Sequence, residues 1–258
     1  MNPVPFARDG EVDAALPAIV SHLRAGGLIA YPTETVYGFG SRAVLPDVQA
    51  LARLKGRRSD KPFLLLVSDR AMAEAQGLAF SEAAHALARA FWPGPLTLVL
   101  PGGGGRLPDQ LRGPEGGIAV RWTSHRGTAR LVAALGEPLT STSANRPGMP
   151  PAPGAAAIVR DFAPAVTAGV LLVLDGGVLG NSPPSTLVDC TQPAPRLIRE
   201  GALTLAELRR AAGRLAPCRS NRRRRRSCWS APATSVAAPS PPRCCSALSR
   251  SAASRESP

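Results

Sequence analysis

"GGLIAYPTETVYGFG", residues 26–40, decides how the rest of the chain is read. A glycine pair ends a helical pattern. "LIAYPT" (28–33) then runs apolar as a short buried strand, and the chain turns polar without a break. Thr33, Thr35 and Tyr37 offer hydroxyls, while Gly38 and Gly40 let backbone amides approach a ligand closely. A strand that delivers hydrogen-bonding groups at its end is how α/β sheets hold ligands. The competing structural reading is a tight turn in which the threonines cap the next element.

Working outward, helical and strand patterns alternate. A helix is expected over Val12–Ala25, another over Pro46–Arg57 with proline in its first turn, and a third over Ser81–Trp92 behind a serine cap. Strands are expected at Lys61–Ser68, "LTLVLP" (96–101), "GIAVRW" (117–122) and "GVLLVLDGG" (169–177). Between two of these lies a glycine-rich stretch, 102–116, read as a flexible loop. Its opening run of four glycines, Gly102–Gly105, lacks the Lys-Ser/Thr and the following helix of a phosphate loop. "WPGPLT" (92–97) reads as a rigid turn. "GTARLVAALG" (127–136) reads as a helix. "STLVDC" (185–190) and "RLIREG" (196–201) are close enough to pair antiparallel, and "TLAELRRAAGRL" (204–215) closes the pattern as a helix. The expected fold is a twisted mixed β-sheet flanked by helices around a large basic cavity, within one domain of residues 1–215.

Beyond Leu215 the pattern collapses. Residues 216–258 hold nine arginines, one acid and four of the five cysteines, among Ser, Pro and Ala. This composition reads as a disordered tail, and its abrupt onset fits a frameshifted or read-through C-terminus. The alternative is an RNA-binding arm at Arg222–Arg226. The formal charge is +13, but 29 of 31 basic residues are arginine in an Ala-, Gly- and Pro-rich chain, a bias that follows from GC-rich coding. Charge alone is therefore weak evidence for nucleic acid. No apolar run approaches membrane-spanning length and no leader pattern opens the chain, so a cytoplasmic protein is expected. Cys190, alone in the body, is expected to be small and buried, and no zinc-ligand spacing occurs.

Polar clusters follow most strands. "LKGRRSDKP" places Lys55, Arg57, Arg58 and Lys61 within seven residues, as cations suited to phosphate or carboxylate or as a solvated basic face. Arg121 ends an apolar run, as an anion anchor would. His125 is read as a surface or hydrogen-bonding residue rather than an acid/base. "TSTSAN" (140–145) offers Ser141, Ser143 and Asn145 but is no GxSxG elbow, which argues against a serine hydrolase. Ser185, Thr186, Asp189 and Arg199 form the last cluster.

In order, "YPTETVYGFG", "LKGRRSDKPF", "WPGPLTLVL", "GIAVRW", "TSTSAN", "STLVD" and "RLIREG" resemble the YrdC/Sua5 family of threonylcarbamoyl-AMP synthases over residues 15–202. The resemblance is to the short form and implies a YrdC-like α/β fold. It also implies synthesis of L-threonylcarbamoyladenylate from L-threonine, bicarbonate and ATP, with pyrophosphate released. The product would pass to a threonylcarbamoyl-transferase complex that modifies adenosine 37 of tRNA, and Mg²⁺ would enter with ATP, with no dedicated protein site. By the same resemblance Lys55 and Arg57 are the catalytic cations. Thr33, Lys61, Arg121, Ser141 and Ser185 face threonine or its carbamate, and Lys55, Arg58, Ser143, Asn145 and Arg199 face the nucleotide. Two departures stand out: "PPAPG" (150–154) replaces a Ser-Pro-Thr run after "SAN", and Gly117 stands where a hydroxyl residue is common. Other readings are an RNA-binding module of this fold, for double-stranded RNA or tRNA, without synthase activity, and a hydrogenase-maturation-type domain. The second is disfavoured because no acylphosphatase-like or zinc-finger segment is present.

Overall fold

The computed structural model describes residues 2–56, 62–180 and 182–216. The tail from 217 onward, like Arg57, Arg58 and Lys61, lies outside the described residues. The elements run β1 (Val4–Pro5), α1 (Asp9–Arg24), β2 (Leu28–Tyr31), β3 (Gly38–Gly40), α2 (Leu45–Lys55), β4 (Leu64–Leu66), α3 (Arg70–Ala75) and α4 (Glu82–Phe91). They continue with β5 (Leu96–Leu100), a 3₁₀ turn (Asp109–Leu111), β6 (Ile118–Arg121), α5 (Arg126–Leu135), β7 (Leu139–Ser143), α6 (Ala155–Asp161) and α7 (Ala163–Thr167). Last come β8 (Leu171–Asp175), β9 (Thr186–Asp189), β10 (Arg196–Arg199) and α8 (Leu205–Ala212). The strands form one mixed sheet in the order β1-β8-β2-β3-β7-β4-β6-β5-β9-β10. β9 and β10 pair antiparallel as expected, while β9 also pairs β5 in parallel.

Side-chain alternation divides the core between two faces. Leu28, Ala30, Leu65, Leu98 and Val120 point into the larger cluster, with Leu51 of α2, Leu87 of α4, Ile158 of α6 and Leu208 of α8. Ile29, Tyr31, Leu66 and Leu139 point the other way, beneath Ile19 and Leu23 of α1 and Leu131 and Leu135 of α5. On this second face the β5–β6–β9 end of the sheet carries only a small cluster, Val99, Ala119 and Leu187, with Leu64 and Ile198 beside it. Among the described residues that cluster draws on no helix, so this end of the face is where polar side chains have room.

Several boundaries differ from the sequence reading. α2 stops at Lys55 because Gly56 takes a left-handed conformation (φ 57°) that caps it. β2 ends at Tyr31 and β4 spans only three residues. "GFG", read as a pocket wall, is itself strand β3, between β2 and β7. The glycine-rich loop is folded against the α3–α4 connection: Gly103 N donates to Gly77 O at 2.9 Å, and Arg112 donates to the carbonyls of Gly102 and Gly116. Cys190 is buried as expected, and burial, helped by the Asp189 charge, pushes its thiol up to about 12. Among the described residues no helix is long and apolar enough to cross a membrane.

β3 depends on glycine for its close approach to neighbouring strands. A Cβ at Gly40 would sit 2.6 Å from Thr140 O and 2.8 Å from the Tyr31 ring, whereas one at Gly10 in α1 would meet nothing within 4 Å. Gly40→Ala should therefore destabilise the fold by about 1–3 kcal/mol, as overpacked core positions do. Gly10→Ala should leave stability unchanged or raise it. Urea unfolding midpoints of the two variants check the contrast.

Candidate functional site

Strand register puts the candidate residues on the second sheet face. Arg121 of β6 lies opposite Leu66 of β4, which lies opposite Leu139 of β7, so Ser141 and Ser143, at i+2 and i+4 from Leu139, share Arg121's face. Thr97 pairs with Leu187, as does Arg199 across a bulge in β10. Thr97, Arg199 and Ser185, two residues before Leu187, thus join the same face.

Three connected groups follow. In the first, the Thr33 hydroxyl lies 3.1 Å from that of Thr35, and Thr35 Oγ1 accepts from Arg121 Nη1 and Nη2 at 3.3 and 3.4 Å. In the second, Ser185 and Thr97 hydroxyls are 2.9 Å apart, and Arg199 Nη2 donates to Ser185 O at 2.9 Å. In the third, the Lys55 ammonium, at the C-terminus of α2, donates to Ser143 O at 2.6 Å, Asn145 O at 2.5 Å and Asn145 Oδ1, while Ser143 Oγ donates to Asn145 Oδ1 at 2.6 Å. Thr33, Lys55, Arg121, Ser141 and Ser185 are all buried. The first two groups meet electrostatically: burial, and then the charge of Arg121, lower the Arg199 pKa, so the two guanidiniums feel each other. Such a pair is an incipient anion site.

Other side chains serve the scaffold. Thr33 Oγ1 donates to Val36 O at 2.7 Å and accepts from the amides of Thr35 and Val36, so the capped-turn reading of this stretch holds. The Tyr37 hydroxyl does not join the cluster. It donates to Gly177 O at 2.7 Å and accepts from Gly176 N at 3.0 Å, pinning the end of β8. Tyr31 likewise faces the core and donates to Thr140 O. Ser141 lies beside Tyr31 and Gly38. His125 caps α5, its Nδ1 accepting from Thr128 N at 3.2 Å, and burial lowers its pKa despite the nearby Glu34 charge.

Two contributors were not singled out from the sequence. Gly94 O, in the turn read as rigid and more structural than catalytic, accepts from Arg121 Nε at 3.3 Å. Glu34 pairs with Arg121 at 2.5 Å, and its other oxygen accepts the Thr123 hydroxyl. Burial alone would raise the Glu34 pKa, but the charge and hydrogen bond of Arg121, with Thr123, outweigh it and leave the carboxyl below its ordinary value. Neither contact carries a local sequence signal.

Fold and site together define a mixed α/β protein with a cation- and hydroxyl-rich cluster on one sheet face. Residues 21–201 match the model of the Sua5/YciO/YrdC family, described as "Telomere recombination", and the chain belongs to that family. It is 35% identical over 196 residues to the threonylcarbamoyl-AMP synthase of Pyrococcus abyssi, covering 75% of this chain and 56% of that protein. It is 40% identical over 178 residues to the threonylcarbamoyl-AMP synthase of Thiobacillus denitrificans, covering 69% of this chain and 92% of that one. The crystal structure of P. abyssi Sua5 complexed with L-threonine superposes with a TM-score of 0.74 at 30% identity, over 84% of this chain and 62% of that one. The chain thus spans a little over half of the archaeal relative and nearly all of the bacterial one.

A group whose folded pKa is depressed stabilises the fold when ionised, and that contribution fades as pH falls through the folded value. Glu34→Gln should therefore cost about 3 kcal/mol at pH 7, as breaking a buried pair does. The gap to the unaltered protein should close as pH drops below the ordinary 4.5. Urea unfolding of both proteins across that range measures it.

Proposed function

We propose that the chain condenses L-threonine, bicarbonate and ATP into L-threonylcarbamoyladenylate, releasing pyrophosphate, for t6A modification of tRNA. The observation that carries this is the grouping of Thr33 and Arg121 with Ser185 and Arg199, linked by Thr35 and Thr97, on the sheet face that Ser141 and Ser143 share. The threonine held by P. abyssi Sua5 and the names of the relatives support it.

The chemistry suits such a site. The threonine amine adds to CO₂ with loss of a proton, or to bicarbonate with loss of water, to give a carbamate, and a carbamate oxygen attacks the α-phosphorus of ATP, expelling pyrophosphate. This makes the enzyme a nucleotidyltransferase. No covalent enzyme intermediate is required; the difficulty is holding mutually repelling anions in line. Arg121 and Thr33 take the threonine carboxylate end, with Ser141 and Ser185 beside the amino acid. Lys55, with Arg57 and Lys61, stabilises carbamate and phosphate charge. Ser143, Asn145, Arg58 and Arg199 address the nucleotide. Magnesium enters with ATP as part of that substrate: Glu34, the acid nearest the cluster, is committed to Arg121 and Thr123. The product passes to a threonylcarbamoyl-transferase partner and so to tRNA, in the cytoplasm. The RNA-binding alternative leans on the arginine run beyond residue 216, which lies outside the described residues.

Threonine-dependent pyrophosphate release by the full chain, with ATP and labelled bicarbonate, is the assay. Lys55→Ala and Arg121→Ala should each lower the rate by about 10², the usual loss of a charge-stabilising donor. Unchanged rates in both variants would remove these residues from the roles given.

A further inference from the structure

We propose that Glu34 is a positioning residue for amino-acid recognition: its carboxylate fixes the Arg121 guanidinium in the orientation that receives the substrate carboxylate. This rests on the synthase reading, in which Arg121 meets threonine.

Arg121 is 4% exposed, so its guanidinium must be satisfied within the protein. Nε donates to Gly94 O, Nη1 to Thr35 Oγ1, and Nη2 to both Thr35 Oγ1 and Glu34 Oε1. A guanidinium has five N–H donors. Four are engaged by these contacts, and the remaining one is on Nη1. Glu34 is in turn anchored from the segment that follows β6: Thr123, fully buried, donates its hydroxyl to Oε2, and Ser124 N donates to Oε1 at 3.4 Å. The carboxylate is therefore held from one side and holds Arg121 on the other. An incoming carboxylate finds the Nη2 edge occupied by a like charge and is steered to Nη1.

Charge balance points the same way. Arg121 and Arg199 are close enough for one to depress the protonation of the other. Glu34 neutralises one of the two charges, which leaves the pair matched to a single substrate carboxylate. Gln at 34 keeps the shape and some hydrogen bonding but loses the charge that orders the guanidinium.

Threonine and ATP saturation curves of pyrophosphate release by the full chain test this. Glu34→Gln should raise the KM for threonine about tenfold or more, with the KM for ATP within about twofold of the unaltered enzyme, because the lost interaction is with one substrate. Glu34→Asp, which keeps the charge, should recover part of the loss, and Thr123→Val, which frees one carboxylate oxygen, should give a smaller rise. A purely structural role predicts a lower yield of active enzyme at unchanged threonine KM, and that result would overturn the proposal. Should Glu34→Gln not fold, the other two variants decide: an unchanged threonine KM in both rejects it. An unaltered chain that releases no threonine-dependent pyrophosphate defeats the synthase reading itself, an outcome distinct from a synthase indifferent to residue 34.

Discussion

A guanidinium buried at the end of a central strand is the constraint to which the surrounding loops are fitted. Taking a charge out of water costs several kcal/mol unless partners replace the solvent. For Arg121 those partners come from three separate places: Thr35 and Glu34 from the β2–β3 connection, Gly94 from the α4–β5 turn, and, through Glu34, Thr123 from the β6–α5 connection. Each connection also has a local job, since Thr33 closes its turn and His125 caps α5. The buried charge thus ties loops distant in sequence to one point on the sheet.

Lys55 plays a parallel part at the neighbouring strands. Gly56 ends α2 so that the Lys55 ammonium reaches the carbonyls of Ser143 and Asn145, just where β7 ends. A cation spent on carbonyl oxygens of Ser143 and Asn145 orders the "SAN" turn. The sheet supplies the geometry common to both cations, because pairing of β7 with β4 and of β4 with β6 fixes which residues share a face.

Much of this was legible in the chain. Apolar runs ending in Thr33, Arg121 and the "TSTSAN" hydroxyls mark strand ends, and the register of β4, β6 and β7 puts Arg121 and the β7 serines on one face. The Tyr37 hydroxyl was misassigned because its direction depends on register, which local sequence does not specify. Tyr31 falls on the α1–α5 face and Tyr37 on the other. β3 was hidden by its brevity and its two glycines, and α3, α6 and α7 are too short to show a helical period. Glu34 was unreadable for a different reason. A single acid among threonines carries no periodicity, and its partner is supplied by a strand far along the chain.

The hydroxyls of the cluster also bear on what kind of catalyst this is. Ser143 Oγ donates to an amide oxygen, Ser185 Oγ lies against Thr97, and His125, whose Nδ1 is occupied at a helix cap, serves neither. Among the described residues no serine here is paired with a base that would make it a nucleophile. Cations and neutral donors held by burial and by one another remain. A site of that composition lowers a barrier by placing reactants and balancing their charge, and a carbamate attacking a phosphate asks for little else. An acid in such a cluster is accounted for by the same charge balance: Glu34 is held by Thr123 and pairs with the buried Arg121 guanidinium.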